Sequence, residues 1–159
     1  MHWLRPLERR SNSSAMDDLE QLYQDLILDH YKQPRHRQAL ADTDVSAEAE
    51  NPLCGDQLRL AVEVAEGCVR TIRHDGKGCA ISQASASMMS DTLAGKTVAE
   101  VQGLVSDFIA AMRGERDFDS GWPDEWLALQ GVKKFPLRIK CATLAWHALK
   151  SALDKQRSS

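Results

Sequence analysis

Apolar positions along the chain switch between two periods, and the switches mark the elements. Leu19, Leu22, Tyr23, Leu26, Ile27 and His30 recur at helical spacing, with Asp17 or Asp18 placed to cap the first free N–H groups. That helix should end before Pro34. Residues 42–52 are polar and acidic and read as a loop. Leu58, Leu60, Val62 and Val64 then alternate with Arg59, Ala61 and Glu63, the period of a half-buried strand, and a Glu66-Gly67 turn returns the chain through a second strand over 68–74. A third strand has no clear place in the pattern. Gly76 and Gly78 interrupt the ladder, and the Ala, Ser and Met run over 80–93 suits a helix packed closely through small residues. Residues 98–112 predict a further helix stopped by Gly114. Residues 121–136 are irregular, with a short helix near 124–130 and with Trp122, Trp126 and Phe135 too apolar for a plain solvent loop. A last helix over 138–154 buries Ala142, Ala145, Trp146, Leu149 and Leu153. The sum is an α+β domain: a small antiparallel sheet, a hairpin with room for a third strand, packed against about five helices.

Composition narrows the function classes. At 159 residues, with 43% apolar and 27% charged side chains, the chain fits one ordinary folded domain. A formal net charge of −3 argues against broad binding to nucleic acid. The longest prominent uncharged stretch, 78–90, is 13 residues and Ser-rich, far short of a membrane helix. Residues 1–15 are basic, Ser-rich and aperiodic, which reads as a disordered leader before a domain over 16–156, with Met16 as the expected start. The leader lacks the apolar core of a secretory signal, so a cytoplasmic, reducing home is expected.

In that compartment the four cysteines stay free for metal or sulfur chemistry. Cys54 in NPLCGD, Cys79 in GKGCAIS and Cys141 in IKCAT each sit where a loop meets an element. Cys79 and Cys141 fall at or near helix starts, where the dipole favours a thiolate. Asp56, two residues past Cys54, can supply a carboxylate, and three thiolates with one carboxylate suit tetrahedral zinc. Such a set carries −4 against +2, so Lys77, Arg138 or Lys140 would help to hold it. The spacing, 24 residues and then 61, matches no short-spaced zinc finger, and by itself it favours buried or incidental cysteines over a metal site. Cys68 fits a buried small hydrophobe on the returning strand, and Met88 and Met89 fit the core. His147 and the tryptophans fit structural roles, with Trp122 a candidate partner anchor, and His30 a helix-end residue facing a partner.

Four stretches, LILDHYKQPRH, NPLCGDQL, GKGCAISQASASMM and GVKKFPLRIKCATLAW, resemble the NifU/IscU-like family of iron–sulfur cluster assembly proteins over residues 19–153. Within it the chain is most similar to the SufU-type members. Lys140 stands where the IscU type has a histidine before the third cysteine, and the LPPVK segment is absent, replaced by an extended stretch over 121–138. The resemblance implies a SufE/IscU-like fold and a zinc site on Cys54, Asp56, Cys79 and Cys141. It also implies a reaction. A SufS-type pyridoxal-phosphate cysteine desulfurase docks, a histidine of it takes a zinc position, and Cys54 accepts its persulfide sulfur for delivery to the SufBCD assembly complex. Arg138 would steady Asp56 or the displaced sulfur, with Lys140 supporting. The alternatives are an IscU-type scaffold carrying iron or a [2Fe–2S] cluster, and an adaptor with structural zinc that activates the desulfurase. Whether the chain counts as a sulfurtransferase enzyme in its own right is left open by the sequence.

Overall fold

The computed structural model describes residues 4–157, with side chains over 18–156. The leader expected over 1–15 lies outside the residues whose side chains are described. Helix α1 spans Leu4–Lys32, so Asp17 and Asp18 fall within it rather than capping it.

Three strands follow, β1 (Ala47–Asn51), β2 (Asp56–Ala65) and β3 (Cys68–Lys77), in the antiparallel order β1-β2-β3. The β2–β3 hairpin is the expected one, with a bulge at Glu63/Val64. β1 is the third strand, and it replaces the later half of the loop expected over 42–52, of which Asp42–Asp44 forms one 3-10 turn. Its inward residues are Ala47, Ala49 and Asn51, facing Leu60, Leu58 and Asp56 across the ladder. Alanine and asparagine alternating with glutamate keep the period of two while hiding its hydrophobic signal. Gly76 does not interrupt β3 but pairs with Leu58. Its φ of 149° and missing side chain let Gln57 O approach where a Cβ would collide.

Helices α2 (Ala80–Leu93), α3 (Val98–Met112), α4 (Asp124–Ala128) and α5 (Pro136–Arg157) complete the domain, with a 3-10 turn over Leu129–Lys134. α2 runs through the centre, packed by α1, α5 and β3, and is buried almost all round. Its serines are tolerable there because each finds a partner. Ser85 Oγ donates to Ala142 O and accepts from Trp146 Nε1. Ser87 Oγ accepts the Arg35 N–H and pairs with His30 Nδ1, both at 2.8 Å. His30 is therefore buried against α2 and does not face a partner.

The core's heaviest part is aromatic. Phe108 stacks on Trp146 with ring centroids 3.8 Å apart, and Trp126 meets both edge-on. Trp122 is buried beside Phe118, so it packs rather than projecting as an anchor. Phe135, by contrast, is 61% exposed.

Candidate metal centre

Three parts of the chain converge at one end of the sheet. The four-residue turn over 52–55 joins β1 to β2 and carries Cys54, whose N–H bonds back to Asn51 O at 3.2 Å. Gly55, at φ 69°, takes the left-handed corner that brings Asp56 round onto the first residue of β2. Cys79 is the N-cap of α2, its carbonyl accepting the Gln83 N–H. Cys141 sits in the second turn of α5 and is fully buried.

The side chains meet. Cys141 Sγ lies 3.0 Å from Cys54 Sγ, and one ligand atom each from Cys54, Asp56 and Cys141 fall within 4.8 Å of one another. Asp56 is 1% exposed and joins the fourth member: its Oδ1 accepts the Cys79 N–H at 2.8 Å while its Oδ2 lies 4.0 Å from Cys79 Sγ. Thus one oxygen secures the N-terminus of α2 and the other faces the thiols. Gly78 makes this approach feasible, since a Cβ there would run into Asp56 Oδ1 and Ser82 Oγ. Asn51, which sequence reasoning missed, directs its amide toward Cys141 Sγ at 3.5 Å. Its position in NPLCGD, three residues before Cys54, was the only signal.

Electrostatics reflect crowding of acidic groups. Burial foremost, then hydrogen bonds with Cys54, Asp56 and Cys79, pushes the Cys141 thiol far above the ordinary thiol range. Arg138, exposed on the first turn of α5, is held more firmly protonated by its hydrogen bond to Cys79, and then by the charges of Cys79, Cys54 and Cys141. Of the three candidate cations, Lys77, Arg138 and Lys140, it is the one with a described contact to the thiols. Lys140 is not placed at the thiols among the described contacts; it lines a groove with Arg113 and His147. Cys68 stands apart at the start of β3, half-buried rather than fully so, in a bridge to Thr97.

The donor set fits a zinc ion. Tetrahedral zinc with bonds of about 2.0–2.3 Å needs ligand atoms roughly 3.3–3.8 Å apart. The observed separations bracket that range, so small side-chain rotations close the shell. Three soft sulfurs and one oxygen are also a set that zinc accepts and that calcium or magnesium does not.

The surroundings are apolar and open. Leu53, Phe135 and Leu137 flank the cysteines and Arg138 in sequence and are 69%, 61% and 70% exposed. Arg138 also borders an apolar cavity of about 310 Å³, lined by Ile27, Ile81, Val132 and Phe135, with a Lys134–Glu20 ion pair at its edge. Among the described residues, no helix is long and apolar enough to cross a membrane.

Comparison with known proteins places this geometry. The family model for the NifU-like N terminal domain matches residues 22–158. The zinc-dependent sulfurtransferase SufU of Bacillus subtilis is 42% identical over 139 residues, which cover 87% of this chain and 94% of that protein. The iron–sulfur cluster assembly scaffold protein IscU of Streptococcus pyogenes is 38% identical over 145 residues, 91% of each chain. The crystal structure of the N-terminal part of a nitrogen-fixing NifU-like protein from Brucella abortus has the same fold, with a TM-score of 0.73 at 22% identity, covering 84% of this chain and 93% of the other.

Proposed function

The chain belongs to the NifU-like N-terminal domain family, and from that premise we propose that it is a zinc-dependent sulfur-transfer protein of iron–sulfur cluster biogenesis. It receives sulfur on Cys54 from a SufS-type pyridoxal-phosphate cysteine desulfurase and passes it to a SufBCD-type assembly complex in the cytoplasm. The observation that carries this reading is the convergence of Cys54, Asp56, Cys79 and Cys141 with Cys54 alone on a turn. The likeness to a zinc-dependent sulfurtransferase supports it.

Zinc, when bound, would keep the sulfurs deprotonated near neutral pH. The residues divide the remaining work. Cys79 and Cys141 are fixed by helices, and Asp56 by a strand and by the Cys79 N–H. Cys54 stands on a four-residue turn and can swing without disturbing the core. Its thiolate attacks the outer sulfur of the desulfurase persulfide. A new S–S bond forms on Cys54 as the old one breaks, and the electron pair leaves on the desulfurase cysteine, with no net oxidation. Arg138 offers its guanidinium to the thiolate in transit. The exposed Leu53, Phe135 and Leu137 give a desulfurase an apolar rim to cover, which excludes water from the reacting sulfurs.

Mass spectrometry after incubation with desulfurase and cysteine tests this directly. Cys54 gains one sulfur; labelling confined to Cys68 or Cys79 breaks the assignment. Replacing Cys54 by Ser abolishes stimulation of cysteine turnover, whereas an adaptor carrying structural zinc would still stimulate. Metal analysis after anaerobic purification finds about one zinc per chain. A stable, chemically competent [2Fe–2S] cluster in its place would establish the IscU-type scaffold instead.

A further inference from the structure

A second surface borders the Cys54 turn. It is an open groove of about 650 Å³ along α5, bounded by residues 50–52 and by Arg113 just past the end of α3. Lys140, Thr143, Leu144 and His147 line it at i, i+3, i+4 and i+7, so they form one face of α5. The walls are basic. Arg113 and Lys140 oppose a single carboxylate, Glu50, on a chain whose formal net charge is −3. Burial foremost, then the charges of Arg113 and Lys150, hold the His147 imidazole below its ordinary pKa, so it lines the groove as a neutral polar group. Among the described residues neither Arg113 nor Lys140 has an ion-pair partner to compete with a ligand. The floor is apolar where Ile139 and Leu144 are half-buried. This local reversal of sign over an apolar floor is complementary to one kind of ligand.

We propose that this groove is a docking site for an acidic, extended segment of a protein partner, whose carboxylates pair with Arg113 and Lys140 while intervening apolar side chains rest on Ile139 and Leu144. The inference rests on the reading of the chain as a protein that exchanges sulfur with other proteins. From Pro136 to His147 α5 advances about 16 Å, room for roughly five residues of extended chain. Alternation of acidic and apolar side chains is what an extended segment presents to a floor and two walls. The groove ends at Pro52 and at Asn51, whose amide contacts Cys141. A segment seated there therefore holds its parent protein beside the Cys54 turn.

The test is titration of the zinc-loaded full-length chain with a short peptide alternating glutamate and leucine, followed by amide NMR shifts at low ionic strength. Saturable shifts concentrated on Asn51, Lys140, Thr143, Leu144 and His147 are expected. Affinity should fall about tenfold or more in the R113E/K140E double variant, and similarly as salt is raised. If that variant fails to fold by circular dichroism, R113Q/K140Q serves, with a smaller fall expected. No saturable binding, shifts centred on Lys133 and Lys134, or equal displacement by inorganic phosphate or by an oligonucleotide would each overturn the proposal. Because no desulfurase is present, a chain that binds the peptide yet gains no sulfur in the mass assay refutes the transfer reading while upholding the groove.

Discussion

Asp56 carries two duties on two oxygens, and they can be separated. Asp56→Asn keeps a carbonyl oxygen for the Cys79 N–H but offers a poor ligand, so zinc affinity should fall at least about tenfold with little change in the stability of the zinc-free chain. Gly78→Ala differs: its backbone is held at φ 155° and the new methyl meets the carboxylate. It should cost about 1–3 kcal/mol and weaken zinc binding together. Parallel melting curves and competitive zinc titrations check both; equal behaviour of the two variants would contradict the division. The four proposed ligands were legible from their motifs, and Cys54, Asp56 and Cys79 also stand at element boundaries, whereas Cys141 lies in the second turn of α5 rather than where a loop meets it. Arg138 was legible only as one of three candidate cations, since the sequence does not say which face of α5 turns toward the thiols. Asn51 was not legible, because an asparagine before a proline reads equally well as plain turn chemistry.

The tie between α1 and α2 is polar, and that has a pH consequence. His30 pairs with Ser87, and His74 Nε2 donates to Arg35 O at 2.8 Å, linking α1's end to β3. Burial foremost lowers the pKa of both histidines below the ordinary imidazole range. Folded histidine thus binds protons less readily than unfolded histidine, so this contribution is complete above pH ~6.5 and is lost as pH falls below it. Denaturant melts of the zinc-free chain between pH 7.5 and pH 5 should show declining stability, and His30→Gln should flatten the decline. A slope unchanged in that variant would assign it elsewhere. Periodicity found the long elements here because Leu, Ile and Val mark a face plainly. It missed β1, where alanine takes the inward positions, and it read Gly76 as a break although the missing Cβ is what keeps that residue in the ladder.

Across the whole molecule, the centre joins parts distant in sequence: the β1–β2 turn, the start of α2 and the second turn of α5. A zinc ion held there binds only the folded chain and stabilises it by about 4 kcal/mol when free zinc is about 1,000 times the dissociation constant. Removing it with a chelator should lower the melting temperature by about 10 °C. Trp122, Trp126 and Trp146 share one cluster with Phe108, so tryptophan fluorescence reports the collapse of that core. An unchanged midpoint would mean that the ion contributes chemistry without support. The close approach of Cys54 Sγ and Cys141 Sγ, 3.0 Å, has another side. Once the ion is stripped, oxygen or peroxide can take two electrons and two protons from that pair and leave a disulfide. A zinc ion held there would then also act as a redox guard. Chelated samples left in air should become about 2 Da lighter, lose the capacity to accept sulfur, and recover it only when a thiol reductant is supplied before the metal.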